Sequence, residues 1–331
     1  MANTVDIQEL QEIAVRTKKY PEEQLASLLD GALEFIVPIF KPASTRFLIR
    51  LPIFEMRRIL QKQPYLAVVH ITNRCNGNCL HCVYKVGLRE DRREPTIDEW
   101  EAFFLKLYRQ GIRAVNLWGG EPTLRMDVLK LAARIFPLLL TITNGTNRIG
   151  EWFKGRIFLS IDGPPEVNDY LRGKGAFKQA IRHYQGDKRV IINSVVTHET
   201  LPTIGEIPDI AKELGVLGVV YNVECFRKGD NTRFLTQEEY REIEEKLLEL
   251  SELPNVYMSK PLIRKMMHPE NRNNHKCYYG SSVSHYQSDF TPRQCYNDYV
   301  ECGQCRVIPA GAGNPIFAGI RSPKVIRMYL P

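Results

Sequence analysis

Six short apolar runs separated by helical patterns predict an α/β chain. The expected form is a partial (β/α)6 barrel of parallel strands, with an N-terminal helical extension and an irregular, cysteine-rich C-terminal extension. Three observations carry this. Strand-like runs recur with helix-length segments between them from residue 65 onward. Before that point, Pro38, Pro42, Pro52 and Pro64 break up a helical-looking lead-in. After about residue 255 the rhythm stops and cysteines take over. The expected regions are therefore 1–64, 65–254 and 255–331.

The first strand is read at Tyr65–Ile71, a continuous apolar run. Thr96-Ile-Asp-Glu99 has the form of a capping box and opens a helix through about residue 110. Ala114–Trp118 follows as a strand, then a helix near Met126–Ile135. Further strands are read at Leu138–Thr143, Ile157–Ile161, Val190–Thr197 and Leu217–Asn222, and Gln237–Leu250 is a charged amphipathic helix. A parallel sheet of this kind gathers its ligands at the C-terminal strand ends.

Bulk properties narrow the classes. The 331 residues are 44% hydrophobic and 25% charged, an ordinary globular composition. A net charge of +7 suits an anionic ligand or surface and is no nucleic-acid signature, so no nucleic-acid partner is expected. The longest apolar stretches, Phe35–Phe40 and Ile135–Ile142, fall far short of the roughly 18 residues that span a bilayer. The N-terminus lacks the apolar run of a signal peptide, so a cytoplasmic location is expected. In a reducing cytosol, eight cysteines in short-spaced clusters point to metal ligation over disulfides.

The first cluster, Cys75-Asn-Gly-Asn-Cys79-Leu-His-Cys82, directly follows the first strand. Three thiolates on one loop can hold three irons of a cubane and leave the fourth open, as a reactive site requires. A zinc knuckle is the competing reading, but a fourth ligand of convincing spacing is lacking nearby; His81 is expected to pack or hydrogen-bond. Downstream, Trp118-Gly119-Gly120-Glu121-Pro122 closes the second strand. Its paired glycines would let backbone approach a ligand, and Glu121 could accept from an ammonium group.

Taken together, C-x3-C-x2-C after a first strand resembles the radical S-adenosylmethionine (radical SAM) superfamily. In that family the open iron binds the amino and carboxylate groups of S-adenosylmethionine, and reduction yields a 5′-deoxyadenosyl radical. The resemblance extends to residues 65–225. Gly119, Gly120, Glu121 and Pro122 resemble the segment that holds the methionyl amine. Thr143-Asn144-Gly145 resembles the family's TNG segment. Ser160-Ile-Asp162-Gly163 with Arg172 resembles the stretch that binds ribose and carboxylate. Asn193 is a ribose contact or a polar residue paired inside the barrel.

Cys277-x17-Cys295-x6-Cys302-x2-Cys305 supplies four more thiols, enough for a second [4Fe-4S] cluster or a tetrahedral zinc site. The stretch resembles the SPASM and Twitch extensions of radical SAM enzymes, apart from a short gap before Cys302. Cys225 stands alone after the sixth strand, either a buried inert thiol or a hydrogen-atom donor, and Tyr221 and Tyr84 are further candidates for that role.

Between Lys41 and Lys62, six basic residues meet one acid, Glu55, among bulky apolar side chains. This fits either an interfacial segment on anionic lipid at the inner membrane face or amphipathic helices packed on the barrel. The layout is similar to adenosyl-hopene synthase and related lipid-modifying radical enzymes. That resemblance implies a lipid or isoprenoid substrate, with a peptide maturase as the alternative and a non-catalytic zinc-binding adaptor as the reading from another class. A radical enzyme also implies a reducing donor such as ferredoxin or flavodoxin.

Overall fold

A computed structural model describes residues 64, 66–84, 93–226, 235–269, 283–295, 300 and 302–307. The chain divides into units Met1–Gln63 and Pro64–Pro331. The basic lead-in that suggested a lipid surface therefore lies outside the described residues, as does Cys277.

Strands β1 (Leu66–Thr72), β2 (Ala114–Gly119), β3 (Leu138–Thr143), β4 (Arg156–Ser160), β5 (Val190–Val196) and β6 (Gly218–Val223) match the six expected runs within a residue or two. Between them lie α1 (Ile97–Arg109), α2 (Met126–Ile135), α3 (Pro165–Arg172), α4 (Ala176–Tyr184) and α5 (Ile207–Glu213). Helices α6 (Gln237–Leu250) and α7 (Lys260–Met267) follow β6. All six strands pair in parallel in sequential order, and β6 and β1 are not neighbours, so the barrel is partial. The expected capping box at Thr96 is present: its side chain accepts from Glu99 N, and the Glu99 side chain accepts from Thr96 N.

The irregular tail proves to belong to the sheet. Strand β7 (Ser284–Tyr286) pairs in parallel with Ala67–Val69 on the open side of β1, and β8 (Pro292–Arg293) turns back antiparallel on it. Three residues are too few to show a period of their own, which is why the sequence pattern missed them.

Burial explains the layering. Every residue of β1 is buried, as expected for a strand covered on both faces. Outside the sheet, α1 presents Trp100, Phe104 and Leu107 to the core, and Phe136 closes edge-on against Phe104 at 5.5 Å. Each such aromatic adds roughly 2–3 kcal/mol of burial. The inward faces of the strands are left to line a cavity at their C-terminal ends.

Candidate active site

A cavity of about 290 Å³ opens at the C-terminal ends of the strands, and Cys75, Cys79 and Cys82 all open onto it. The loop that carries them is fastened at both ends, by residues at strand ends and by helix α3.

At the Cys75 end the tether is backbone. Gly120 N donates to Thr72 O at 2.9 Å and Glu121 N to Arg74 O at 2.9 Å, zipping the end of β2 onto the chain that leads into Cys75. A Cβ on Gly119 would lie 2.2 Å from Thr72 O, and one on Gly120 2.1 Å from Arg74 O. The glycines therefore admit the neighbouring main chain, and both also line the cavity where the sequence suggested a ligand. Gly119, at φ +146°, also takes a conformation that side chains rarely adopt. From the other side, Thr72 Oγ1 donates to Glu94 Oε1 and accepts from Arg74 N at 3.0 Å. Glu94 also pairs with Arg74 at 2.9 Å and Arg125 at 3.4 Å. Asn144 Nδ2 then donates to Asn76 Oδ1 at 2.8 Å, latching the TNG turn to the cysteine loop.

Glu121 organises this side. Its carboxylate accepts from Thr123 N (3.0 Å), Thr123 Oγ1 (2.7 Å), Thr143 Oγ1 (2.8 Å) and Asn144 N (2.7 Å). Burial raises its pKa against the pull of these donors. The residue lines the cavity, but its carboxylate also ties the ends of β2 and β3 together, a role that its place in the motif did not reveal. Pro122 starts the next turn behind it and does not line the cavity.

At the Cys82 end the tether combines a backbone hydrogen bond with a buried carboxylate. Leu80 N donates to Leu171 O at 2.8 Å, docking the loop on α3. His81 Nε2 faces Asp162 Oδ2 at 3.3 Å, so this ring nitrogen is turned to a carboxylate, in line with the non-ligand reading. Asp162 is fully buried, accepts from Val195 N at 2.8 Å and pairs with Arg172 Nε at 2.5 Å. Burial would raise its pKa, but Arg172 and His81 outweigh that and hold it below the usual range. Expected as a cofactor contact, Asp162 does not line the cavity; it braces Arg172, which does.

The loop suits an iron–sulfur cluster. A Cβ on Gly77 would sit 3.7 Å from both Cys75 Sγ and Cys79 Sγ, so the two sulfurs gather around the same point of the loop. Three thiols carried on one loop match a cluster that presents a separate iron to each. Burial pushes the Cys75 thiol up to about 11.

The remaining wall follows strand alternation. Ser160, Asn193, Val220 and Asn222 line the cavity, and Asn222 Nδ2 donates to Asn193 Oδ1 at 2.7 Å. Tyr221, between Val220 and Asn222, faces the helices: its hydroxyl donates to Ile204 O at 2.8 Å. It is fully buried outside the cavity, which removes it as a hydrogen-atom donor. Cys225 and Tyr84 do line the cavity. Tyr84 packs edge-on against Trp118 and His70, both ring centroids 5.6 Å away. Burial raises the Tyr84 pKa, and Cys295, Cys225 and Cys82 add to that. The sequence reading passed over Asn116, Trp118 and Glu224. The first two share the inward phase of β2, and alternation from the Gly-Gly pair would have found them.

These features define an α/β partial barrel that displays three thiols on a cavity at the C-terminal ends of its strands. A sequence profile described as "Radical SAM superfamily" matches residues 69–256, more than half of the chain, and the chain belongs to that superfamily. Among curated relatives, it is 30% identical over 168 residues to the mycofactocin maturase MftC of Mycolicibacterium smegmatis, covering 46% of this chain and 43% of that protein. It is 34% identical over 144 residues to the Fe-coproporphyrin III synthase of Methanosarcina barkeri, covering 40% and 36%. It is 28% identical over 167 residues to the PqqA peptide cyclase of Rhizobium meliloti, covering 46% and 44%. The chain thus spans less than half the length of these relatives. In fold it is similar to Streptococcus suis SuiB bound to precursor peptide SuiA, with a TM-score of 0.56 and 18% identity over 82% of this chain and 72% of that one.

Membership of that superfamily implies S-adenosylmethionine and a [4Fe-4S] cluster. A non-catalytic zinc adaptor is set aside. Among the described residues, no helix is long and apolar enough to cross a membrane.

Proposed function

We propose that this enzyme is a radical SAM maturase that modifies a peptide, in place of the lipid or isoprenoid suggested by sequence layout. One observation carries the choice. Asn116 lines the cavity, and its Oδ1 is buried without a hydrogen-bond partner. Asn222 and Glu224 line the same space. An isoprenoid chain would leave the Asn116 acceptor unsatisfied, at a cost of about 1–3 kcal/mol. A peptide brings its own donors. The PqqA peptide cyclase among its relatives supports the same reading.

In this reading Cys75, Cys79 and Cys82 hold the cluster, and Ser160, Asn193 and Asn144 contact S-adenosylmethionine. When bound, cluster and cofactor supply one-electron cleavage and hydrogen-atom abstraction from an unactivated carbon. The chain's own part is to fix the loop through Glu121 and Asp162, and to exclude water with Trp118, Tyr84 and Phe158. Cys225 is placed to present a thiol to the cavity. Cys277, Cys295, Cys302 and Cys305 hold a second cluster, and a donor such as ferredoxin or flavodoxin supplies electrons.

The test begins with anaerobic reconstitution, dithionite and S-adenosylmethionine, reading 5′-deoxyadenosine by mass spectrometry. The protein is then co-expressed with any short peptides found to be encoded beside its gene. A cofactor-dependent mass change in one of them supports the proposal. Stimulation of 5′-deoxyadenosine release by isoprenoid lipids, and by none of those peptides, overturns it.

A further inference from the structure

Arg172 is committed to partners that cofactor binding does not require. Its side chain is 9% exposed, its Nε lies 2.5 Å from Asp162 Oδ2, and its Nη1 donates to Cys79 Sγ at 3.9 Å. Asp162 is in turn fixed by Val195 N at 2.8 Å and faced by His81 Nε2 at 3.3 Å. Asp162 N donates to Asn168 Oδ1 at 3.1 Å, which holds the turn into α3. A guanidinium is planar and carries five donors, so one edge can grip a carboxylate while another nitrogen reaches a sulfur. Lysine, a point charge on a flexible stem, lacks that fork. Arg172 sits at the last residue of α3, and Leu171 O on the same turn receives Leu80 N from the cysteine loop. The donor and its sulfur are thus held in register by backbone.

We propose that Arg172 is a positioning residue that hydrogen-bonds the sulfur of Cys79, is held there by Asp162 with His81 on the same carboxylate, and raises the reduction potential of the cluster that Cys79 helps to hold. This rests on the iron–sulfur reading of the site. A donated N–H draws electron density from the thiolate, and the adjacent positive charge favours the more negative reduced cluster, so both effects act in one direction.

The experiment is a redox titration of the full chain, reconstituted with ferrous iron and sulfide and followed by electron paramagnetic resonance. The signal that S-adenosylmethionine perturbs identifies the three-cysteine cluster. Arg172→Gln is expected to titrate at a more negative midpoint than wild type, with Arg172→Lys between the two, at unchanged iron content and circular dichroism. If Arg172→Gln fails to take up iron, the midpoint of Arg172→Lys decides alone. Wild-type midpoints in the variants, with weakened S-adenosylmethionine binding in equilibrium dialysis, would make Arg172 a cofactor-carboxylate ligand and overturn the proposal. A wild-type signal that S-adenosylmethionine leaves unmoved would instead overturn the reading of the site itself.

Discussion

The two cysteine-bearing regions are held in different ways. The Cys75–Cys82 loop is clamped by the ends of β2 and β3 on one side and by α3 with Asp162 on the other. The tail that bears Cys295, Cys302 and Cys305 meets the barrel through the outer edge of β1 and through separate side-chain and backbone contacts. Strand β7 pairs over three residues, Val223 N donates to Arg306 O at 3.1 Å, and Arg306 lies over the Tyr240 ring at 4.0 Å. A further anchor is Phe290, at φ +68°, which stacks on Phe103 at 4.5 Å and meets Trp100 at 4.8 Å. The lesson is that the first loop is held between several strand ends and a helix, whereas the described part of the tail is held on one edge of the sheet.

The largest expected effect separates the two regions outright. Cys79→Ala should reduce 5′-deoxyadenosine release to background while tail-bound iron remains, read by mass spectrometry and iron analysis. Loss of both together would show that the regions are not independent.

Next in size is the clamp. Glu121→Ala strands four buried or part-buried donors and should cost about 3 kcal/mol or more, read as a lower urea midpoint. Glu121→Gln keeps one acceptor oxygen and should recover part of that loss. Wild-type stability in Glu121→Ala would break the clamp argument.

The tail's anchor should matter less. Phe290→Ala loses the ring contacts and keeps the backbone strain, for about 2 kcal/mol. Phe290→Gly relieves the left-handed conformation and should recover about 1 kcal/mol of that. Limited proteolysis should show the tail released first, with 5′-deoxyadenosine release persisting. Equal sensitivity of both regions would dissolve the contrast.

The smallest effect belongs to a brace at the opposite end of the barrel. Arg189 pairs with Asp187 and donates to the carbonyls of Ile149, Gly150 and Phe153. Burial would raise the Asp187 pKa, but its bonds to Arg189 hold it low. Its stabilisation is therefore present above the unfolded carboxyl value of about 3.9 and is lost as pH falls through the lower folded value. Asp187→Asn should cost about 1 kcal/mol at neutral pH, discounted for partial exposure, and flatten the acid limb of the thermal melt. An unchanged acid limb would remove Asp187 from that account.

The chain by itself determined the strand order, the capping box at Thr96, the cysteine loop and the motif positions around it. Each is a local signal, a run of apolar residues or a fixed spacing within a few positions, and local signals survive without the fold. Only the tertiary structure decided what those residues face. Gly119 and Gly120 admit the backbone of Thr72 and Arg74, Asp162 turns away from the cavity to brace Arg172, and Tyr221 points at Ile204. Likewise β7 found its partner in β1, more than 200 residues earlier in the chain. Facing and pairing are set by which surfaces remain open once the sheet has closed its core, and no window of sequence contains that information.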